Sequence, residues 1–373
     1  MPNFRFPLLF FFALWTSIGA IAQSLDQKEM QGLYEEIKTP FKYGLVVVPA
    51  NNDKKLDCPS VFRQGKLWYM TYIVFDGKGY ETWLAESKNL LDWKTKGKLL
   101  SFSDTTGWDG TQKAGYIALQ DPAWGGSYAW KKYKGKFWMS YFGGNTTGYE
   151  AGDLSIGMAY TTKDITVPHE WERLSKPVLT AKDKDVRWWE NRKLFKSTVI
   201  HDPKKLSGHE FVMYYNANGD SARNNIKTRW YERIGMAVSD DMKNWQRYKI
   251  DPVVHHPAGI TGDAVIQKID DIYVMFYFGA FWNDRKGGFN RFAASKDLVN
   301  WTDWTGDNLI ESSTPYDEVF AHKSFVVKHK GIVYHYYCAV NKAGQRGIAV
   351  ATSKDLGTGK LSFAAAERKD NGQ

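Results

Sequence analysis

Trp68-Tyr69-Met70-Thr71-Tyr72 is the first of five related stretches whose recurrence decides the fold of this chain. Aromatic and β-branched residues at this density are typical of strands. A short apolar stretch and a turn precede each copy, and this pairing predicts a β-hairpin. The later copies are Phe137-Trp138-Met139-Ser140-Tyr141, Val212-Met213-Tyr214-Tyr215, Val274-Met275-Phe276-Tyr277 and Tyr334-His335-Tyr336-Tyr337.

A third predicted strand follows each hairpin, and three copies share a tail that starts with Ser and ends at Trp93, Trp245 or Trp301. One small antiparallel sheet cannot bury both of its faces, whereas five sheets around an axis bury one another. The sequence therefore predicts an all-β protein, a five-bladed β-propeller in which the tail tryptophans pack between blades. The predicted blades lie near residues 55–100, 118–180, 195–252, 260–310 and 320–366. Residues 43–48 or 361–365 are expected to supply a strand that closes the ring.

The N-terminus has the pattern of a secretory signal peptide. Arg5 precedes an apolar run, and small residues follow up to Ala22. The apolar run is shorter than the roughly 20 residues that span a bilayer. We predict a signal peptide over residues 1–22, an N-terminal lead over 23–42 and a catalytic propeller over 43–366. The mature chain is expected to be secreted or periplasmic, without insertion into a membrane.

Charge and composition narrow the class of partner. The formal net charge is +9, with Lys and Arg scattered along the chain, and 16% of residues are aromatic. Because an exported protein rarely meets nucleic acid, we interpret the charge as favouring solubility, with an acidic glycan as the alternative. The aromatic content fits β-rich cores or sugar-stacking surfaces. Cys58 and Cys338, the two cysteines, either pair across the closed ring or are buried free thiols.

Polar or ionisable groups recur just before the first strand of every predicted blade. In a propeller these strands line the central channel, so their opening residues face one axial pocket. Burying several charges together costs free energy and is normally tolerated for function. The alternative for a single Asp before Pro or Gly is a turn cap. The converging residues are Asp57, Asp121, Lys196, Asp263 and His322.

At these positions the chain resembles a known superfamily. The elements Asp57-Cys58-Pro59 and Asp121-Pro122 are similar to the first two blade motifs of the five-bladed glycoside hydrolases of families 43, 32, 117 and 130. The resemblance extends from about Tyr43 to Leu356. It implies an enzyme that cleaves O-glycosyl bonds of an oligosaccharide or polysaccharide.

The resemblance to family 43 implies that Asp57 is the general base and that Asp121 tunes and orients the acid. Family 43 takes its general acid from a Glu that opens a later blade. Here Lys196 occupies the opening of the third blade, and Glu190 is the nearest Glu upstream.

Family 117 instead uses a His as acid, with an Asp from the preceding blade. His322 and Asp263 resemble that arrangement, so we expect His322 to be the acid. The expected reaction is inverting hydrolysis, with exo action on plant or algal oligosaccharides.

Substrate contacts and alternative functions complete the expectations. Sugar platforms are predicted at Trp124, Trp188 and Trp282, with packing as the alternative role of each. A phosphate-dependent phosphorylase resembling family 130 is a second hypothesis, in which Lys196, Arg291 and His322 hold phosphate. A non-catalytic glycan-binding propeller is the third.

No cofactor is expected to be required. A structural calcium ion is a further expectation, because residues 104–109 faintly resemble a calcium-binding loop.

Overall fold

The computed structural model describes residues 24–103, 107–219, 231–282 and 285–365. The predicted signal peptide lies outside these residues, as do Asp104 and its two neighbours in the candidate calcium loop. The described chain is nearly all β, with one α-helix, α1, and one short 3-10 helix. In this part of the chain, no helix is long and apolar enough to cross a membrane.

Antiparallel pairing sorts the described strands into five units of four main strands each. The bounds of α1 are Gln27–Ile37, and the 3-10 helix covers Trp188–Glu190. The strands are β1 Phe41–Val47; β2 Lys55–Gln64, β3 Leu67–Phe75, β4 Tyr80–Ser87 and β5 Trp93–Leu100; β6 Gln112–Ile117, β7 Lys132–Tyr133, β8 Lys136–Gly144, β9 Ser155–Thr161 and β10 Glu172–Arg173; β11 Lys193–His201, β12 Phe211–Asn218, β13 Glu232–Ser239 and β14 Gln246–Arg247; β15 Ile260–Ile269, β16 Ile272–Trp282, β17 Arg285–Ser295 and β18 Thr302–Asp303; β19 Phe320–His329, β20 Ile332–Val340 and β21 Arg346–Thr352.

The recurring aromatic stretches lie in the second main strand of each unit, as the hairpin pattern predicts. In the first unit β2 pairs with β3, β3 with β4 and β4 with β5. The third and fourth units repeat this order from β11 to β14 and from β15 to β18. Because every strand of a unit pairs with its neighbour in sequence, local contacts define each unit.

The two ends of the described chain meet in the fifth unit. Strand β1 pairs antiparallel with β21, and Leu361 forms a further bridge to Leu45. The N-terminal segment predicted to close the ring therefore supplies a fourth strand, and the C-terminal segment covers its outer edge. This pairing joins residues about 300 positions apart.

The first strand of the second unit differs from the prediction. We expected this blade to open at Asp121, but β6 ends before that residue and pairs with β8. The segment was missed because Ala and Gly interrupt its apolar pattern. Gly115 is required there, since a Cβ atom at this position would lie 2.3 Å from Met139 Sδ and 2.9 Å from Thr82 Oγ1.

Two of the three tail tryptophans pack between units, as expected. Trp93 of the first unit meets Tyr336 of the fifth, with ring centroids 5.8 Å apart. Trp301 of the fourth unit meets Tyr214 of the third at 5.5 Å. These edge contacts bury aromatic area between neighbouring sheets.

Helix α1 was predicted only as part of a lead. Its apolar residues Met30, Leu33 and Ile37 recur at helical spacing and are buried. Asp26 caps its N-terminus, and Tyr34 stacks on Trp304 with centroids 5.2 Å apart. The helix therefore covers the outside of the fourth and fifth units.

Replacing Arg247 by Met is expected to destabilise the fold. Arg247 Nε lies 2.8 Å from Glu190 Oε1, and both side chains are buried. Removing the cation leaves a buried carboxylate unpaired, so the free energy of unfolding should fall by about 3 kcal/mol or more. Urea unfolding measures this change. The control Lys182→Met breaks an exposed pair with Asp153 and should change stability by about 0.5 kcal/mol or less; equal effects of the two variants would refute the argument.

Candidate active site

A cavity of about 220 Å³ lies where the first strands of the units begin. Each of the five units contributes to its lining. The lining residues are Cys58 of the first unit; Tyr116, Phe142, Tyr149 and Glu150 of the second; Phe195, Lys196, Asn216 and Glu232 of the third; Ile260, Asp263, Phe278, Ala280 and Phe281 of the fourth; Phe320, His322, Lys323 and Arg346 of the fifth.

A shared β-bulge aims three side chains into this cavity. In the first, fourth and fifth units, two residues of the first strand face one residue of the second strand. The first residue of each bulge has a left-handed backbone: Cys58 with φ 48°, Asp263 with φ 58° and Lys323 with φ 61°. Non-glycine residues adopt this conformation at a cost, and it is concentrated at functional sites. The repetition explains why equivalent positions of distant blades converge.

Asp57 is the buried anchor of the site, with 1% of its surface exposed. Its Oδ2 accepts hydrogen bonds from Lys323 Nζ at 2.8 Å and from Arg346 at 3.0 Å. Although burial raises the pKa of Asp57, the positive charges of Lys323 and Arg346 hold it well below its usual value. A carboxylate so held is a weak base, so the geometry argues against the general-base role expected for Asp57.

A second polar chain runs from Lys323 to Glu232. Asp263 Oδ2 lies 3.8 Å from Lys323 Nζ. The amide nitrogen of Asn216 donates to Asp263 at 3.4 Å and to Glu232 Oε2 at 2.7 Å. One amide therefore fixes the orientation of Glu232 relative to Asp263.

Glu232 and Glu150 are the two carboxyl groups with a raised pKa in the cavity. Burial and the negative charge of Glu150 raise the pKa of Glu232 to about 8. Burial also raises the pKa of Glu150, while Lys323 and Arg346 oppose the rise. Glu232 is thus protonated at neutral pH and able to donate a proton, whereas the cations favour the ionised form of Glu150.

His322 lies in the cavity as expected, but its environment does not suit an acid. Burial lowers its pKa to about 3, and the charge of Asp57 does not compensate. Its Nδ1 lies 3.1 Å from the carbonyl oxygen of Cys338, so Nδ1 carries the proton and Nε2 has none. His322 also contacts the rings of Phe278 and Phe320 at 5.2 and 5.1 Å between centroids. A neutral imidazole without a proton on Nε2 has none to donate from that atom.

Lys196 is in place as a substrate-binding residue. It is 2% exposed, and its Nζ lies 5.7 Å from the ring centroid of Tyr116. No hydrogen-bond partner of Nζ is found among the described residues. A buried ammonium group in this situation is suited to donate to hydroxyl groups of a ligand.

Asp121 and Trp124 do not line the cavity. They follow the first strand of the second unit instead of preceding it, which places them beyond its far end. Asp121 binds Ser127 and lies 3.4 Å from Lys131. Trp124 donates to Glu36 of α1 at 2.7 Å. The roles expected for both residues therefore require correction.

The other expected sugar contacts also lie outside the cavity lining. Trp282 stacks on His256 with centroids 3.9 Å apart. Arg291 binds Asn308 at 2.7 Å, and Trp188 packs beside Tyr231 at 6.0 Å between centroids. These side chains are occupied by packing or by hydrogen bonds. Their position near strand ends was a poor guide, because each side chain points away from the cavity.

Glu190 is likewise a structural residue. It accepts from Tyr215 at 2.5 Å and from Arg247 at 2.8 Å, and it does not line the cavity. Phosphate binding by Lys196, Arg291 and His322 loses its basis, since Lys196 is the one cation of that set in the cavity.

Four functional candidates escaped the sequence analysis: Glu150, Glu232, Tyr149 and Arg346. They open the third strand of a unit or lie in the loop before it, whereas we searched the openings of first strands. Glu232 and Arg346 are the first residues of β13 and β21. An ionisable residue at the opening of a third strand was the available signal.

Asp57, His322 and Cys338 are one described group that brings three ligand atoms within 4.8 Å. Lys323 and Arg346 already neutralise Asp57, and their charges repel a cation at this position. Both cysteines are buried free thiols. The described part of the former calcium candidate, Asp109, is paired with Arg173 at 2.8 Å.

Comparison with known proteins identifies the family. A solved structure called "Glycoside hydrolase" is 54% identical over 91% of this chain and 99% of its own length, with a TM-score of 0.88. This protein belongs to the glycoside hydrolases. A second structure, of BT0996 in a complex with RGII, is 55% identical over the same shares, also with a TM-score of 0.88. The resemblance found in the sequence is thus confirmed for this class of enzyme.

More distant likeness concerns the fold alone. A family 117 glycoside hydrolase from Zobellia galactanivorans is 15% identical, covers 88% of this chain and 96% of its own, and has a TM-score of 0.59. Such similarity supports a propeller-type fold for this glycoside hydrolase. No family model matches the chain, and no curated protein matches it.

His322 is expected to stay neutral through the physiological pH range. Its folded pKa of about 3 lies below the ordinary value near 6.5. The unfolded chain therefore binds more protons between these values, and the contribution of His322 to stability is lost as pH falls through that window. NMR titration of the ring, assigned with His322→Gln, should show no charge change from about pH 5 to 8. A midpoint near 6.5 would contradict the assignment.

Proposed function

We propose that this glycoside hydrolase is an inverting, exo-acting enzyme that removes a terminal sugar from plant or algal oligosaccharides. The observation that carries the proposal is the pair of glutamates in one cavity, in environments that favour a protonated Glu232 and an ionised Glu150. Pairs of carboxyl groups with separated pKa values are the usual acid and base of glycosidases.

The five units are proposed to be the blades of a five-bladed propeller around this cavity. Single parallel bridges link consecutive units, Glu232 to Ile260 and Gly288 to Phe320. The pairing of β1 with β21 supplies the closure that such a ring requires. The predicted limits of the catalytic domain, residues 43–366, and export of the mature chain remain part of the proposal.

In the proposed reaction Glu232 protonates the oxygen of the leaving group. Hydrogen bonding to Asn216 holds its carboxyl group in place. As the glycosidic bond breaks, Glu150 accepts a proton from a water molecule that attacks the opposite side of the sugar. This water adds its oxygen to the anomeric carbon, so the configuration inverts.

Asp57 is proposed to act through its two cations. It fixes Lys323 and Arg346 at the base of the cavity, and Arg346 in turn binds the Tyr149 hydroxyl at 2.8 Å. These cations favour an ionised Glu150 and supply donors for sugar hydroxyl groups. Lys196 supplies a further donor from the other side.

The size of the cavity supports action on the end of an oligosaccharide. About 220 Å³ is smaller than the roughly 300–1,000 Å³ of sites that hold drug-sized ligands. A single sugar unit is the ligand that fits this volume. Since a similar structure is named as a complex with RGII, we propose an oligosaccharide from RGII as substrate.

Glu232→Gln is expected to reduce kcat by about 10²- to 10⁴-fold, because the amide cannot donate the catalytic proton. Hydrolysis of RGII oligosaccharides and of aryl glycosides measures the loss. Glu170→Gln is the control, since Glu170 is an exposed surface residue with 72% of its side chain accessible. Full activity of Glu232→Gln would remove the proposed acid.

The pH dependence should follow the same two groups. kcat/KM is expected to fall as pH rises through about 8, where free Glu232 loses its proton. Glu150→Gln should remove the acidic limb of the profile and abolish inversion. NMR of the first-formed sugar gives the anomer; retention of configuration would refute the inverting mechanism.

A further inference from the structure

One side of the cavity is entirely apolar. We name the side formed by Ile260, Phe278, Ala280, Phe281 and Phe320 the apolar wall; all five residues line the cavity. They form a small cluster of their own, separate from the larger cores between the units. A cluster of this size adds little to the core of the protein, so its position beside the ionisable groups points to a role in binding.

The apolar wall is built with a strained backbone. Phe281 has φ 55°, at a register break between Ala280 and Trp282 in the pairing of β16 with β17. A bulky residue in this conformation is a genuine outlier. Trp282 is anchored elsewhere, by a 2.8 Å hydrogen bond to the Ile260 carbonyl oxygen. The break therefore presents Phe281 to the cavity while its neighbour holds the hairpin.

A glycine permits the close backbone approach behind Phe281. Gly259 has φ 73°, and a Cβ atom there would lie 2.4 Å from the carbonyl oxygens of Ala280 and Phe281. Phe320 completes the surface, with its ring centroid 5.8 Å from that of Phe281 and a T-shaped arrangement. Three elements thus cooperate to hold two aromatic rings at the cavity.

The apolar wall adjoins the proposed acid. Ile260 is the partner of Glu232 in the parallel bridge between the third and fourth units. Lys323, Arg346 and Lys196 supply donors elsewhere in the same cavity. A sugar hydroxyl buried against the apolar wall would lose its hydrogen bonds to water without replacement. A bound sugar therefore has one favourable arrangement, with C–H groups on the wall and hydroxyl groups on the donors.

We propose that Phe281 and Phe320 form a stacking platform for the C–H face of the terminal sugar, and that this platform selects substrates by the stereochemistry of that face. The proposal rests on the proposed function and names its specificity determinant. Because the platform borders Glu232, the stacked sugar presents its glycosidic oxygen in a fixed orientation to the acid. An epimer with a hydroxyl group on the stacked face is excluded.

Phe281→Ala tests the platform. We expect kcat/KM on RGII oligosaccharides to fall by about tenfold or more, mainly through a higher KM, because the stacking area is lost. The pH profile should stay that of the wild type. Phe281→Trp should restore most of the affinity. The matched control is Phe41→Ala, since Phe41 is 43% exposed at the start of β1, away from the cavity.

Selectivity provides the decisive readout. The wild type should prefer the natural sugar over the epimer with an added axial hydroxyl group on the stacked face, and Phe281→Ala should narrow this preference. If Phe281→Ala does not fold, as judged by thermal melting, Phe320→Ala and Phe281→Leu replace it with the same expected loss. Unchanged kcat/KM and unchanged selectivity in a folded variant would overturn the proposal.

The same experiment separates this inference from the proposed function. Active wild type, inactive Glu232→Gln and unaffected Phe281→Ala would refute the platform alone. If the wild type hydrolyses none of the oligosaccharides, the proposed function fails, and calorimetric binding of the same oligosaccharides then tests the platform. Weaker binding by Phe281→Ala than by Phe41→Ala would support it, and equal binding would refute it.

Discussion

The buried triad of Asp57, Lys323 and Arg346 is the interaction on which the site depends. Asp57 belongs to the first unit, whereas both cations belong to the fifth. The triad therefore ties the beginning of the propeller sequence to its end, next to the cavity. Burying two cations beside one carboxylate is costly, and the extra positive charge must be balanced by the other acids nearby. This balance draws Asp263 and Glu150 into the same electrostatic system.

The charge arrangement explains why the two glutamates differ. Lys323 and Arg346 lie on the side of Glu150, and they limit the rise of its pKa. Glu232 receives less help from Lys323 and more repulsion from Glu150, so its pKa reaches about 8. Two residues of the same type therefore have opposite suitability for proton transfer. In this interpretation Asp57 contributes to the chemistry without touching the substrate.

Much of the fold was predictable from the sequence because its signals are local. Each hairpin depends on a strand pattern and a turn within about 20 residues. Strand β6 failed as a prediction because the close packing of Gly115 against Met139 and Thr82 is a tertiary constraint that its own sequence does not display. The site was half predictable for the same reason. Asp263, Lys196 and His322 were placed in the cavity from blade openings, and Asp57 next to it.

The roles of these residues depended on neighbours that no local pattern reveals. The buried setting of His322 and the cations around Asp57 come from units distant in sequence, so neither pKa was predictable from the motif. Trp124, Trp282 and Arg291 show the converse, since plausible positions near strand ends become packing sites once side-chain direction is known.

The union of β1 with β21 also constrains how the molecule comes into being. A ribosome delivers β1 first and β21 last, so the fifth unit stays one strand short until almost the entire chain exists. Contacts of such sequence separation slow folding relative to local ones. The four complete meanders are able to form early, while the cavity gains its charged floor only when the two ends join. A truncated or stalled chain thus lacks the active centre, however well its individual sheets have formed.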